Sequence, residues 1–64
     1  MKLSKEELDY CRWLKSNLPK EQMIKLDLLK QRYKNGEEIL YGLQNKGYIL
    51  IENGLVKLIK MDFE

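Results

Sequence analysis

Histidine is absent from this 64-residue chain, and with it the commonest general base and metal ligand. Cys11 is the one thiol. An intrachain disulfide and a Cys/His zinc site are therefore both excluded. No serine or cysteine nucleophile is paired with a base, and no glycine-rich phosphate loop is present. The ten carboxylates fall mostly at helix starts, where they serve capping and the helix dipole. The expectation is a non-enzyme with no metal and no cofactor. Cys11 reads as a small core residue, with an intermolecular disulfide as the alternative. One free thiol fits a reducing cytoplasm.

What remains is the chemistry of recognition: cations, amides and aromatics. Lys and Arg number 12 against 10 Asp and Glu, a net charge of +2. Residues 1–33 carry net +3 and residues 34–64 net −1, so the positive charge lies on the first half. Such an excess points weakly to nucleic acid, against a solvated mixed-charge surface. No apolar run approaches the roughly 20 residues of a membrane span. The start, Met-Lys-Leu-Ser-Lys-Glu-Glu, lacks the apolar region of a signal peptide. A cytoplasmic protein with no membrane partner is expected, folded as one domain over 1–64.

The elements that position these groups are well marked. Ser4 and Glu7 form a capping box, and Leu3 and Leu8 take the staple positions. Leu8, Cys11, Leu14 and Leu18 recur at helical spacing as one buried stripe, flanked by Tyr10. Trp13 points away from that stripe, toward Glu6 and Asp9. It either caps the edge of the core or anchors a partner. Asn17-Leu18-Pro19 ends the helix. Lys20-Glu-Gln-Met begins another helical turn, or Met23-Ile24-Lys25 forms a short third strand; the residues leave both open. A second helix is expected from Leu26 to Tyr33, with Leu26, Leu29 and Tyr33 on one side.

Lys34-Asn35-Gly36 breaks the chain, and Asn35 with Glu38 offers a second cap arrangement. A third helix then runs from about Gly36 to Lys46. Ile39, Leu40 and Leu43 face inward, leaving Glu37, Glu38, Tyr41, Gln44 and Asn45 outside. Gly42 in mid-helix permits a close approach, by a neighbouring helix or by a DNA backbone. Gly47 suits the left-handed residue that stops a helix. Asn53-Gly54 between two apolar runs signals a two-residue hairpin turn. That turn sets Ile51 opposite Val56 and Ile49 opposite Leu58, facing the core. The other face carries Tyr48, Leu50, Leu55 and Ile59, broken only by Glu52 and Lys57. A sheet with one wet face should alternate, so this second apolar face calls for a cover. The fold class is α+β: three helices, then a C-terminal hairpin.

Residues 24–61 resemble the core of winged helix-turn-helix domains. The resemblance rests on helix, tight turn, helix, and the junction Leu43-Gln-Asn-Lys-Gly47-Tyr-Ile49 leading into the hairpin. It implies a recognition helix over 36–46, with Asn35, Glu37, Glu38, Tyr41 and Asn45 toward the major groove. The wing, two residues at its tip and carrying Glu52, is short for a minor-groove contact.

Two functions follow. In the first, a small dimeric regulator, of a phage or other mobile element by its size, holds double-stranded DNA. Lys30, Arg32, Lys34, Asn35, Tyr41, Asn45 and Lys46 make the contacts, with Lys25 adding attraction. Asn45 suits an adenine edge, Tyr41 a phosphate or thymine methyl, and the lysines phosphates. In the second, the same fold is a protein-interaction module or small viral inhibitor. Its interface is then Trp13 with Tyr48, Leu50, Leu55 and Ile59.

Overall fold

A computed structural model describes residues 3–18 and 22–63. Helix α1 spans Lys5–Asn17 and is closed by the expected capping box. The Ser4 N–H donates to Glu7 Oε1 (2.8 Å), and the Glu7 N–H donates to Ser4 Oγ (3.2 Å). Leu18 ends the helix in extended backbone, the geometry a residue before proline prefers. Pro19 and the start of the alternative helical turn at Lys20-Glu21 lie outside the described residues.

The open question at 23–25 resolves as a strand. β1 (Ile24–Lys25) pairs antiparallel with β3 (Leu55–Leu58), and β3 pairs with β2 (Ile49–Glu52). The sheet order is β1-β3-β2. The Leu26 N–H donates to the Gly54 carbonyl (2.8 Å), which fastens the end of β1 to the hairpin tip. Helix α2 is shorter than expected. It covers Leu26–Leu29 and tightens into a single 3-10 turn over Lys30–Arg32, while Tyr33 is already extended. The tightening frees the Leu29 carbonyl, which accepts a hydrogen bond from the Tyr10 hydroxyl (2.7 Å).

Helix α3 spans Gly36–Asn45. The Asn35 cap does not form, and its side chain makes no capping hydrogen bond. Its backbone, φ −108° and ψ 34°, is not the extended cap conformation that aims an amide at the first turn. Gly36 is buried, because an added Cβ would strike the Lys30 carbonyl and lie 2.6 Å from the Tyr10 hydroxyl. At the far end the Gly47 N–H donates to Gln44 O and the Tyr48 N–H to Leu43 O. With Gly47 at φ 85°, this is the Schellman closure.

The hairpin has the expected register, Ile49 opposite Leu58 and Ile51 opposite Val56. Asn53 (φ 54°) and Gly54 (φ 74°) both take positive φ, as a type I′ turn requires. The core joins Tyr10, Cys11 and Leu14 of α1 to Leu29, Leu40 and Leu43, and to Ile49, Val56 and Leu58 of the sheet. Leu8 is only half-buried, whereas Tyr10, expected at the stripe's flank, is fully enclosed. The burial that surrounds Cys11 pushes its thiol up to about 11, with the nearby Glu7 charge adding to the effect, so it stays a neutral core side chain.

Candidate functional site

The outer face of α3 is where the structure gathers the residues singled out for recognition. Glu37, Glu38, Tyr41, Gly42 and Asn45 line one open depression. They recur at helical spacing on the side opposite the buried Leu40 and Leu43. Tyr41 is 42% exposed, and Asn35 and Asn45 are exposed too. None of the three side chains has a hydrogen-bond partner among the described residues. Lys34 and Asn35 form the turn that leads into the helix. Gly42 resolves in favour of a neighbouring helix, since the nearest atom to a Cβ there would be Glu7 Oε2 of α1 at 3.3 Å.

The other three cations are paired with carboxylates of the fold. Lys46 Nζ lies 2.6 Å from Glu7 Oε1, in a pair with a nearly buried carboxylate. Burial works against the Glu7 charge, but the Lys46 and Ser4 hydrogen bonds outweigh it and hold the carboxyl below its ordinary value. Arg32 donates to Asp9 through Nε (2.8 Å) and Nη2 (3.4 Å), and the Tyr33 hydroxyl donates to the same carboxylate (2.7 Å). These hydrogen bonds, Arg32's first, keep Asp9 below its ordinary value. The same bonds to Asp9 raise Arg32 and Tyr33. Lys30 lies 3.2 Å from Asp27 and 3.9 Å from Glu37, so it partly neutralises the acidic start of α3. Two carboxylates of α1 thus take up Arg32 and Lys46, and Lys34 is left as the exposed cation beside the α3 face.

The residues expected on a partner interface are divided. Tyr48 is a correction: it is only 8% exposed and belongs to the core. Strand alternation placed it beside Leu50, but β2 begins one residue later, so the alternation does not extend to it. Its carbonyl accepts from both Ile59 and Lys60, and the Lys60 ammonium sits 5.0 Å from the ring centroid. Leu50 and Ile59 are 37% and 55% exposed, and Leu55 is half-buried. Trp13 is half-buried at the edge of the core, on the side of Asp9 as its helical angle predicts, and faces a separate cleft.

Sequence reasoning missed Gln44, whose Oε1 accepts from the Ile51 N–H (2.6 Å) and so closes part of the free edge of β2. It also missed Lys46 as a partner of Glu7, and Arg32 and Tyr33 as partners of Asp9. The only signal was their unusual company, acidic residues on a helix whose apolar stripe they border.

No protein-family model matches the chain, and no curated protein or solved structure matches it.

Proposed function

We propose that this chain is a winged-helix domain that holds duplex DNA on the outer face of α3. The observation that supports this most is the pairing of Tyr41 with Asn45 one helical turn later. Both are exposed and without hydrogen-bond partners among the described residues, on the helix that follows a tight turn and leads into a hairpin. The element order and the sheet order β1-β3-β2 fit the winged-helix resemblance. In this reading Asn45 offers donor and acceptor to an adenine edge, and Tyr41 meets a phosphate or a thymine methyl. Lys34 and Asn35 meet phosphate at the helix start. Arg32 and Lys46, tied to α1, position α3 rather than lie along the DNA backbone. Two copies, joined by the outer hairpin face with Leu50 and Ile59, present two such helices to successive half-sites.

Fluorescence anisotropy on labelled duplexes at rising salt tests the reading. Binding should weaken steeply with salt, and Lys34→Ala should reduce the salt slope by about one ion. Asn45→Ala should lose about 1–3 kcal/mol at one base pair of a selected site and little on random duplex. Lys46→Ala should lower stability before it alters the slope. Absence of salt-dependent duplex binding at low ionic strength would refute the proposal.

A further inference from the structure

The outer face of the hairpin carries a pattern of charge as well as apolar surface. Side chains alternate along β2, so Leu50 and Glu52 point outward while Ile49 and Ile51 pack toward the core. Leu55 and Lys57 do the same on β3, where Val56 and Leu58 are buried. The register sets Leu50 beside Lys57 and Glu52 beside Leu55. These four make a rectangle of about 5 Å by 7 Å, the spacings between strands and between alternate residues. Its apolar corners, Leu50 and Leu55, lie on one diagonal, and its opposite charges, Glu52 and Lys57, on the other. Among the described residues no hydrogen bond or ion pair engages either charge. Elsewhere the fold pairs Glu7 with Lys46, Asp9 with Arg32 and Asp27 with Lys30. Lys25, opposite Leu55 on β1, lies outside the rectangle.

We propose that a second copy of this chain docks on this face about a two-fold axis along the Leu50–Leu55 diagonal. Each leucine then meets its own counterpart. Glu52 of one copy meets Lys57 of the other, and the reverse pair follows by symmetry. The two hairpins cross at roughly 70°, nearer the orthogonal than the aligned class of sheet packing. The charge pattern selects this occupant. The two charges cancel, so a segment of either single sign is repelled at one corner. What fits is a surface with opposite charges on one diagonal and apolar groups on the other, and the hairpin itself is that surface. Ile59, 55% exposed just past β3, extends the contact at its rim. So small an interface makes a weak dimer, formed at high concentration. The arrangement gives a register to the two-copy part of the reading above and rests on it, but it needs no DNA.

Charge reversal tests the pairing by sedimentation at rising concentration and low salt, without DNA. The wild type should dimerise, and added salt should weaken the dimer. Glu52→Lys and Lys57→Glu should each dimerise at least about tenfold more weakly, because like charges then meet at both contacts. Mixed together, the two variants should form a heterodimer near wild-type affinity, since every contact is again between opposite charges. The double variant Glu52→Lys/Lys57→Glu should recover self-association for the same reason. A charge that serves only its own hairpin would give no such heterodimer. Glu52→Gln, a milder change at an exposed position, serves where a reversal perturbs folding. It should weaken the dimer and reduce its salt dependence. A wild type that stays monomeric at high concentration would overturn both the two-copy reading and this pairing. A dimer indifferent to the single reversals, or variants that do not associate on mixing, would overturn the pairing alone.

Discussion

Glu7 joins the start of α1 to the end of α3. Its Oε1 accepts from the Ser4 N–H and from Lys46, and its Oε2 lies against Gly42. It therefore caps α1 and ties the end of α3 to it. Burial disfavours its charge, the Lys46 and Ser4 bonds favour it, and the balance leaves the folded carboxyl below its ordinary 4.5. A carboxyl lowered on folding contributes stability that is present above its unfolded value and lost as pH falls through the folded one. Asp9, lowered from 3.8 by Arg32 and Tyr33, acts in the same sense. Urea midpoints should thus hold steady near neutrality and fall as pH drops below about 4.5. Glu7→Gln should lose about 1–3 kcal/mol at pH 7, where Lys46 loses its ionised partner. It should also show a shallower fall on acidification, and equal pH profiles for the two proteins would contradict the assignment. Half of this residue's role was legible in the sequence. The Ser4–Glu7 cap is a spacing of three, whereas Lys46 stands 39 positions away and no local pattern joins them. Tyr10 and Gly36 were illegible for the same reason, since their close approach exists only once α1 meets the turn before α3.

At the scale of elements, legibility follows how local the determining chemistry is. The hairpin and its register were readable because two adjacent residues set the turn, and the turn sets every pair after it. Asn53 at φ 54° carries a Cβ in a left-handed conformation that asparagine tolerates and alanine does not. Asn53→Ala should therefore destabilise by roughly 1–2 kcal/mol. Asn53→Gly should stay near wild type, as thermal melts would show, and equal melting of all three would mean that the turn does not set the fold's stability. β1 was undecidable because two residues carry no periodicity, and only the bond from Leu26 to Gly54 and the pairing with β3 make it a strand. The early end of α2 was invisible for a related reason. Its tightening serves a carbonyl that Tyr10 reaches from another helix. The α3 face was readable as a set of outward residues, because helical phase alone sorts Tyr41 and Asn45 from Leu40 and Leu43. Which cations would join it was not readable, since Arg32 and Lys46 answer to carboxylates of α1.

Over the whole molecule, apolar and charged surface are distributed so that the hairpin and the α3 face can be tested apart. Leu50 on β2 and Ile59, just past the end of β3, are both exposed apolar side chains of the hairpin. Replacing both with lysine should leave a folded chain that sediments as a monomer, while the wild type at high concentration sediments as a dimer. A monomeric wild type would remove the two-copy arrangement and leave the α3 face to act singly. The acidic start of α3 is the sterner test of function. Glu37 and Glu38 favour the helix through its dipole, each by about 0.3–1 kcal/mol. The same charges repel phosphate. Their replacement by glutamine should therefore move two measurements in opposite directions. Stability should fall by the lost dipole term, and duplex affinity should rise, most at low salt where the repulsion is least screened. If the carboxylates instead accept hydrogen bonds from bases, affinity should fall for one selected sequence while rising on random duplex, because only the former loses a specific acceptor. Unchanged affinity on every duplex would mean that DNA does not lie along this face, and the α3 proposal would fail.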